Sequence, residues 1–372
     1  MTATELTCPA CAAPIAADET FCEACGVQLQ ESTMPPPATP TTTAAALPRT
    51  VSIDDTAPIP RTVVTPPFCT QCDGRILDDG FCGTCGQKAR SPRDHWTEQP
   101  ATWVAGVCDK GISHAANEDA MALSATADGS FAVLVVCDGV TSAPNSDRAA
   151  LDASVAACSQ LTSMASSSPV SVAAAVCYWS DALVGACADA NAAAVGVAHT
   201  LGDPSEPPSC TFVAAVIAGS LITVAWCGDS RAYWFPDDGE HRQLTIDHSL
   251  GTEMLAAGRS RAQAESDPTF HTITRWLGAD SVDHTPEVAS QSIEGPGWLL
   301  VCSDGLWNYA SALDEMATQL STVYSTSGPD PLPMCASLVD WANAAGGHDN
   351  ITAALARCEP SLRLERERTS RG

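Results

Sequence analysis

Several apolar segments of this sequence run straight into an aspartate. Phe131-Ala-Val-Leu-Val-Val-Cys137 delivers Asp138-Gly139, and Trp298-Leu-Leu-Val-Cys-Ser303 delivers Asp304-Gly305. Leu221-Ile-Thr-Val-Ala-Trp-Cys-Gly228 ends in Asp229. Asn117-Glu118-Asp119 and His348-Asp349-Asn350 set further polar residues beside short apolar stretches. An uninterrupted apolar run reads as a strand buried on both faces. A carboxylate at its end sits on a rigid edge, and a glycine behind it lets other backbone approach. One such site is an ordinary Asp-Gly turn. Several that converge form an oxygen-ligand site for a hard divalent ion such as magnesium or manganese.

A second set of spacings belongs to cysteine. Cys8-x2-Cys11 is followed by Cys22-x2-Cys25, and Cys69-x2-Cys72 by Cys82-x2-Cys85. In each unit the second knuckle is preceded by Phe and followed by Gly, so the pattern is an internal repeat. Four thiolates suit tetrahedral zinc and leave no open position, which makes each a structural rather than catalytic site. The units are similar to zinc ribbons, and the metal would supply most of their folding free energy. Residues 8–25 contain no Lys or Arg, which points the first ribbon toward protein contacts, or contacts between the two ribbons, rather than nucleic acid.

The totals narrow the function classes. The chain has 372 residues, 44 of them acidic against 18 basic, for a formal charge of −26. That disfavours phosphate backbones and anionic lipid as partners. No apolar run is read as long enough to cross a bilayer, and the N-terminus lacks the pattern of a signal peptide. A cytoplasmic protein is expected, and its 18 cysteines then need an explanation without disulfides. Eight are the zinc-type pairs, and the other ten read as small buried hydrophobes.

These signals divide the chain into ribbon 1 (1–31), a Pro/Thr/Ala-rich disordered linker (32–67), ribbon 2 (68–90), a short linker (91–100), a main domain (101–358) and a polar tail (359–372). In the main domain Trp103–Val107 reads as the first strand. The Ala-rich stretches Asp147–Ala165 and Ser171–Ala198 read as long helices packed on a sheet. Cys210–Ala218, Leu221–Cys227, Ala232–Phe235 and Ile351–Arg357 read as strands, and Pro331–Ala344 as a helix.

One ordered series runs through that domain: Gly111 with Asn117-Glu-Asp119, Val136-Cys-Asp-Gly139, Ser209-Cys-Thr211, Gly228-Asp-Ser-Arg-Ala232, Leu244-Thr-Ile-Asp-His-Ser249, Thr274-Arg-Trp-Leu-Gly278, Cys302-Ser-Asp-Gly-Leu306 and Gly346-Gly-His-Asp-Asn-Ile-Thr352. It resembles the metal-dependent protein phosphatases of the protein phosphatase 2C type, the PPM family, in their bacterial form. The resemblance implies an α+β fold, a four-layer α-β-β-α sandwich of two antiparallel sheets flanked by helices, here preceded by small zinc ribbons. It implies hydrolysis of phosphoserine and phosphothreonine in proteins by direct attack of metal-activated water, with Mn2+ or Mg2+ (two ions, a third possible in bacterial relatives) as cofactor.

Residue by residue, Asp138 matches the carboxylate that bridges both ions, and the Gly139 carbonyl a ligand of one. Asp304 and Asp349 match ligands of the other. Glu118 and Asp119 match acidic residues that touch the ions or their waters, and Asp229 a ligand of the third. Asn350 is expected beside the centre, orienting Asp349. The implied partners are phosphorylated proteins and a Ser/Thr kinase pathway. Two departures stand out. His114 occupies the position where the family has a phosphate-gripping Arg, and His cannot make a bidentate fork. Val140-Thr-Ser-Ala-Pro-Asn145 replaces the glycine-rich loop and its histidine. They leave open a second reading, a pseudophosphatase that binds phosphoproteins as a scaffold.

Overall fold

The computed structural model describes residues 6–7, 14–15, 68–69, 72–77, 80–86, 89, 91–140, 143–167, 169, 171–202 and 204–359. The chain falls into two units, Met1–Arg49 and Thr50–Gly372. In the first, β1 (Leu6–Thr7) pairs antiparallel with β2 (Pro14–Ile15). Cys8, Cys11, Cys22 and Cys25, the linker 32–67 and the tail beyond 359 lie outside the described residues.

The second unit owes its layers to alternation along its strands. Its elements are β3 (His95–Ala101), β4 (Val104–Asp109), β5 (Ala120–Ala125), β6 (Phe131–Cys137), α1 (Ser146–Ser163), α2 (Val172–Thr200), β7 (Ser209–Cys210), β8 (Phe212–Ala218), β9 (Leu221–Cys227), β10 (Arg231–Pro236), β11 (Arg242–Gln243), α3 (Leu250–Ala256), α4 (Arg261–Glu265), β12 (Leu277–Gly278), β13 (Glu287–Ser292), β14 (Gly297–Cys302), α5 (Asp304–Trp307), α6 (Leu313–Ser327), α7 (Pro331–Ala345) and β15 (Ile351–Cys358). Six strands form one antiparallel sheet in the order β11-β10-β14-β15-β4-β3, and five form a second in the order β13-β9-β8-β6-β5.

In β6, Ala132, Leu134 and Val136 face the other sheet, while Phe131, Val133, Val135 and Cys137 face α1 and α2. In β14, Leu299 and Val301 join the inter-sheet core, and Trp298, Leu300 and Cys302 meet α6 and α7. Both faces are covered, which is why these strands read as unbroken apolar runs. The outcome is the expected four-layer sandwich. Alanines line the inner faces of the first helix pair (Ala150, Ala153 and Ala157 on α1, Ala182, Ala186 and Ala190 on α2), so the helices lie close on the sheet.

Three readings change. The segment 91–100 is not a linker: Pro92–Asp94 forms a short 3-10 helix, and β3 is an edge strand paired with β4. Trp103–Val107 is therefore not the first strand of the domain. The Pro100 that disguised β3 falls where its register shifts, between Glu98 and Ala101. Lastly, α2, at 29 residues, is long and apolar enough by length and composition to cross a bilayer. Its apolar face is instead taken up by the sheet, with Trp179, Leu183, Ala186, Cys187 and Ala190 buried there.

Glu98 fastens the two sheets at their edges. It projects from β3, the edge of one sheet, and its Oε2 accepts a hydrogen bond from Leu123 N of β5, the edge of the other, at 2.9 Å. Its Oε1 is buried without a donor, and burial raises the carboxyl from its ordinary 4.5 to about 7. The folded state therefore holds this proton more tightly than the unfolded chain does. Glu98 costs nothing below the unfolded pKa, and its ionisation erodes stability as pH climbs from about 4.5 to about 7. Urea unfolding of wild type and Glu98→Gln across pH 5–8 is expected to give curves that diverge over that window. The variant should gain up to about 3 kcal/mol relative to wild type at the alkaline end.

Candidate metal centre

Register gathers the carboxylates at one end of the sandwich. Ala120 lies opposite Cys137, so Asp119 and Asp138 leave the five-stranded sheet side by side. Phe212 lies opposite Cys227, which brings Asp229, two residues beyond β9, to the same end. In the six-stranded sheet Cys302 lies opposite Ala353, so Ser303-Asp304 emerges beside the chain that carries Asp349 and Asn350 into β15.

Backbone packing then fixes the aspartates. Asp138 N–H donates to Thr211 Oγ1 at 3.0 Å, Thr211 N–H donates back to the Asp138 carbonyl at 2.7 Å, and Ser230 Oγ steadies the Thr211 hydroxyl at 2.7 Å. Gly139 admits Glu118: a Cβ there would stand 2.7 Å from the Glu118 carbonyl oxygen. A Cβ at Gly305 would collide with the Asn350 carbonyl oxygen. The two Asp-Gly pairs thus need their glycines for close approach.

The electrostatics are those of like charges forced together. Asp119 is fully buried, and its Oδ2 accepts hydrogen bonds from Thr352 Oγ1 at 2.6 Å and Ser303 Oγ at 2.7 Å. Its Oδ1 and that of Asp304 are buried without any donor. The Asp138 carboxyl is within hydrogen-bonding reach of both Asp119 and Asp304. Burial, then neighbouring aspartates, drives Asp138 well above the carboxylate range, and Asp304 to about 7. Burial lifts Asp119 to about 6 against the pull of its two hydroxyl donors. Asp229 is raised by burial and by Asp304 and Asp247 beside it.

Asp349, half-exposed, accepts from Asn350 N at 2.7 Å and faces His114 Nε2 at 3.2 Å. The backbone N–H of Asn350 thus holds Asp349, while its side chain has a different task. Asn350 Oδ1 accepts from Glu118 N at 2.7 Å, and Nδ2 donates to the Lys110 and Ala116 carbonyls at 2.8 and 3.1 Å. It moulds the loop that bears Glu118 and His114. The sequence alone assigns no role to Ser303 and Thr352, although both stand inside the ordered motifs. It also assigns none to Arg231, whose guanidinium makes a buried bidentate pair with Asp247 at 2.9 and 2.7 Å and lies 3.5 Å from the centre of the Trp307 ring. Trp307 Nε1 in turn donates to the Asp229 carbonyl at 2.9 Å.

A hard divalent cation fits this site. Every side chain of the cluster offers oxygen, two buried carboxylate oxygens lack donors, and only cations or shared protons reconcile so many buried carboxyls. The second cysteine unit has a different character. The sulfurs of Cys69, Cys72, Cys82 and Cys85 all lie within 4.8 Å of one another, with Cys69–Cys85 at 3.6 Å and Cys72–Cys82 at 3.5 Å. Four thiolates about a tetrahedral zinc stand about 3.8 Å apart. Each knuckle turns through a left-handed residue directly after its second cysteine, Asp73 and Gly86. Backbone N–H groups of Cys85 and Thr84 lower the Cys82 thiol to about 6, whereas at Cys72 the Gly74 N–H is outweighed by the neighbouring Cys85 and Cys82 sulfurs, which push that thiol up to about 12, so without a cation the four sulfurs do not all ionise together. The first unit lies outside the described residues.

Known proteins match most of the part of the chain that builds the acidic centre, with Asp349 and Asn350 just beyond the family model's last residue. The family model described as Protein phosphatase 2C covers residues 111–343, more than half of the chain. A serine/threonine phosphatase stp from Listeria innocua is 38% identical over 149 residues, 39% of this chain and 55% of that relative. The chain thus spans little more than half the length of such curated relatives. Among solved structures, the serine/threonine phosphatase of S. agalactiae superposes with a TM-score of 0.54 at 27% identity, covering 71% of this chain and all of its own. The catalytic domain of the serine/threonine protein phosphatase PstP, solved in complex with two manganese ions, gives a TM-score of 0.52 at 23% identity, over 69% of this chain and 98% of its own.

The tight fit at Gly305 is open to test. Gly305→Ala must displace the Asn350 backbone, and is expected to lose about 2–3 kcal/mol in urea unfolding. Gly295→Ala, which meets nothing within 4 Å, should stay within about 0.5 kcal/mol of wild type.

Proposed function

Since the chain belongs to the protein phosphatase 2C family, we propose that it is a metal-dependent protein phosphatase acting on phosphoserine and phosphothreonine. The observation that carries this reading is the set of carboxylates at one end of the sandwich with buried oxygens that no donor satisfies. Asp138, Asp304, Asp349, Asp119, Asp229, Glu118 and the Gly139 carbonyl would hold two or three Mn2+ or Mg2+ ions. Bound there, the ions would bring the pKa of a water toward neutrality and offset charge on phosphoryl oxygens.

The chain's own residues do the rest. Asp138, within reach of both Asp119 and Asp304, ties the two halves of the ligand set together. Thr352 and Ser303 keep Asp119 aimed with its second oxygen inward. Asn350 holds the loop of Glu118 and His114 against the centre. Asp349 holds the imidazole of His114 through Nε2, which leaves Nδ1 as the ring nitrogen to meet a substrate phosphoryl oxygen or the departing seryl or threonyl oxygen. Nothing in this chemistry needs a thiol, and Cys137 and Cys302 fill the strands behind Asp138 and Asp304.

Phosphorylated proteins are the substrates in this reading, and a Ser/Thr kinase supplies them. Cys69, Cys72, Cys82 and Cys85 hold one structural zinc, the N-terminal cysteines hold a second, and the modules contact protein.

Phosphate release from a phosphothreonine peptide is the direct test. Turnover should require Mn2+ or Mg2+, stop with chelator, and fall to background in Asp138→Ala and Asp304→Ala. Folded protein that binds Mn2+ yet releases no phosphate would overturn the enzyme in favour of a phosphoprotein-binding scaffold. His114→Ala is expected to cost about 10- to 100-fold in kcat/KM, the worth of a hydrogen bond to a charged group. Elemental analysis of the full chain should find two zinc ions, and one in Cys82→Ser.

A further inference from the structure

Arg93 stands outside the region matched by the family model, on the short helix between the second cysteine unit and β3. Yet its side chain reaches the back of the acidic centre. Nη2 donates to the carbonyls of Asp119 at 2.9 Å, Asp147 at 3.3 Å and Asn117 at 3.4 Å. Asn117 Nδ2 returns a bond to the Arg93 carbonyl at 2.9 Å, and Lys110 N–H donates to the Asp94 carbonyl at 2.7 Å. The helix is itself held by a capping box, Ser91 Oγ accepting from Arg93 N and Asp94 accepting from Ser91 N. Arg93 therefore links three things: the loop that carries Glu118 and Asp119, the first turn of α1, and the entry to β3.

The cost of this arrangement says more than the contacts do. Nε and Nη1 of Arg93 are buried with no acceptor, and the guanidinium lies 4.9 Å from the Trp96 ring centre. Leaving two donors of a cation unsatisfied is unfavourable for stability alone. A cation behind Asp119 has a compensating benefit. It fixes the carbonyls of Asn117 and Asp119, on either side of Glu118, and so holds the shape of the loop. Groups that orient the residues around a metal typically govern its affinity by about 10–100-fold.

We propose that Arg93 is a positioning residue for the acidic centre and sets its divalent-ion affinity by holding the Asn117–Asp119 backbone. This rests on reading the carboxylates as a divalent-cation site. It makes the segment that follows the cysteine unit part of the site's scaffold.

The test is Mn2+ binding to the full chain, measured by the EPR signal of free Mn2+, for wild type, Arg93→Lys, Arg93→Gln and Arg93→Ala, alongside melting temperature and kcat. The expected result is Mn2+ affinity weakened about 10- to 100-fold in Arg93→Ala and Arg93→Gln. Arg93→Lys, which keeps the charge and three donors, should recover part of the loss. Turnover at saturating Mn2+ should remain near wild type. Variants that melt earlier but bind Mn2+ as wild type does would overturn the proposal and leave Arg93 a fold anchor. Should Arg93→Ala fail to fold, unchanged affinity in Arg93→Lys and Arg93→Gln overturns it equally. A wild-type chain that binds no Mn2+ would overturn the metal-centre reading, and this inference with it.

Discussion

Repulsion between carboxylates is the constraint on which this structure turns. Asp119, Asp138, Asp229 and Asp304 are brought together where burial already disfavours their charge. Left to relax, such groups would separate or take up protons. Here they cannot move apart. Each leaves a strand or helix whose neighbours are fixed by register, and the two Asp-Gly turns are jammed against the Glu118 and Asn350 backbones. The layers of the sandwich, with both faces of each central strand covered, supply the stiffness that this requires. Unfavourable electrostatics without cations is the natural counterpart of favourable electrostatics with them.

Much of this was legible in the sequence because strands buried on both faces cannot hide. Phe131–Cys137 and Leu221–Cys227 announce themselves as apolar runs, and their terminal aspartates stand out against them. Edge strands were harder. In β3 burial alternates at His95, Trp96, Thr97 and Glu98, so polar residues and Pro100 make it look like linker. β13 is an edge as well and has no fully buried residue. Helix α6 went unread because only Met316, Leu320 and Val323 of its residues are buried, too thin a stripe within a run of Ser and Thr.

At the site itself, residue types were easier to read than partners. Aspartates at strand ends could be counted, but that Ser303 and Thr352 both serve one oxygen of Asp119 depends on the β14–β15 pairing, which brings positions far apart in sequence together. The same holds for Asn350, whose amide spans from β15 to the loop before β5. His114 stood out as a substitution against the family pattern. Only the fold showed that Asp349 is the group it faces.

The acidic centre draws on both halves of the sandwich. Asp119 and Asp138 adjoin strands of the five-stranded sheet, Asp304 and Asp349 lie beside strands of the six-stranded one, and Asp229 sits where the chain crosses from β9 to β10, from one sheet to the other. Between these sheets lies a greasy, non-directional interface of Leu134, Val136, Val213, Leu299 and Val301, which resists separation far better than it resists sliding. Ions shared across that seam would act as a rivet at one end, with Glu98 as a lighter stitch along the edge. Sliding of one sheet over the other would then be the motion that dismantles the site. The hydrogen-exchange rates of β5, β6, β14 and β15 would register the ions through the seam, at amides that touch no ligand.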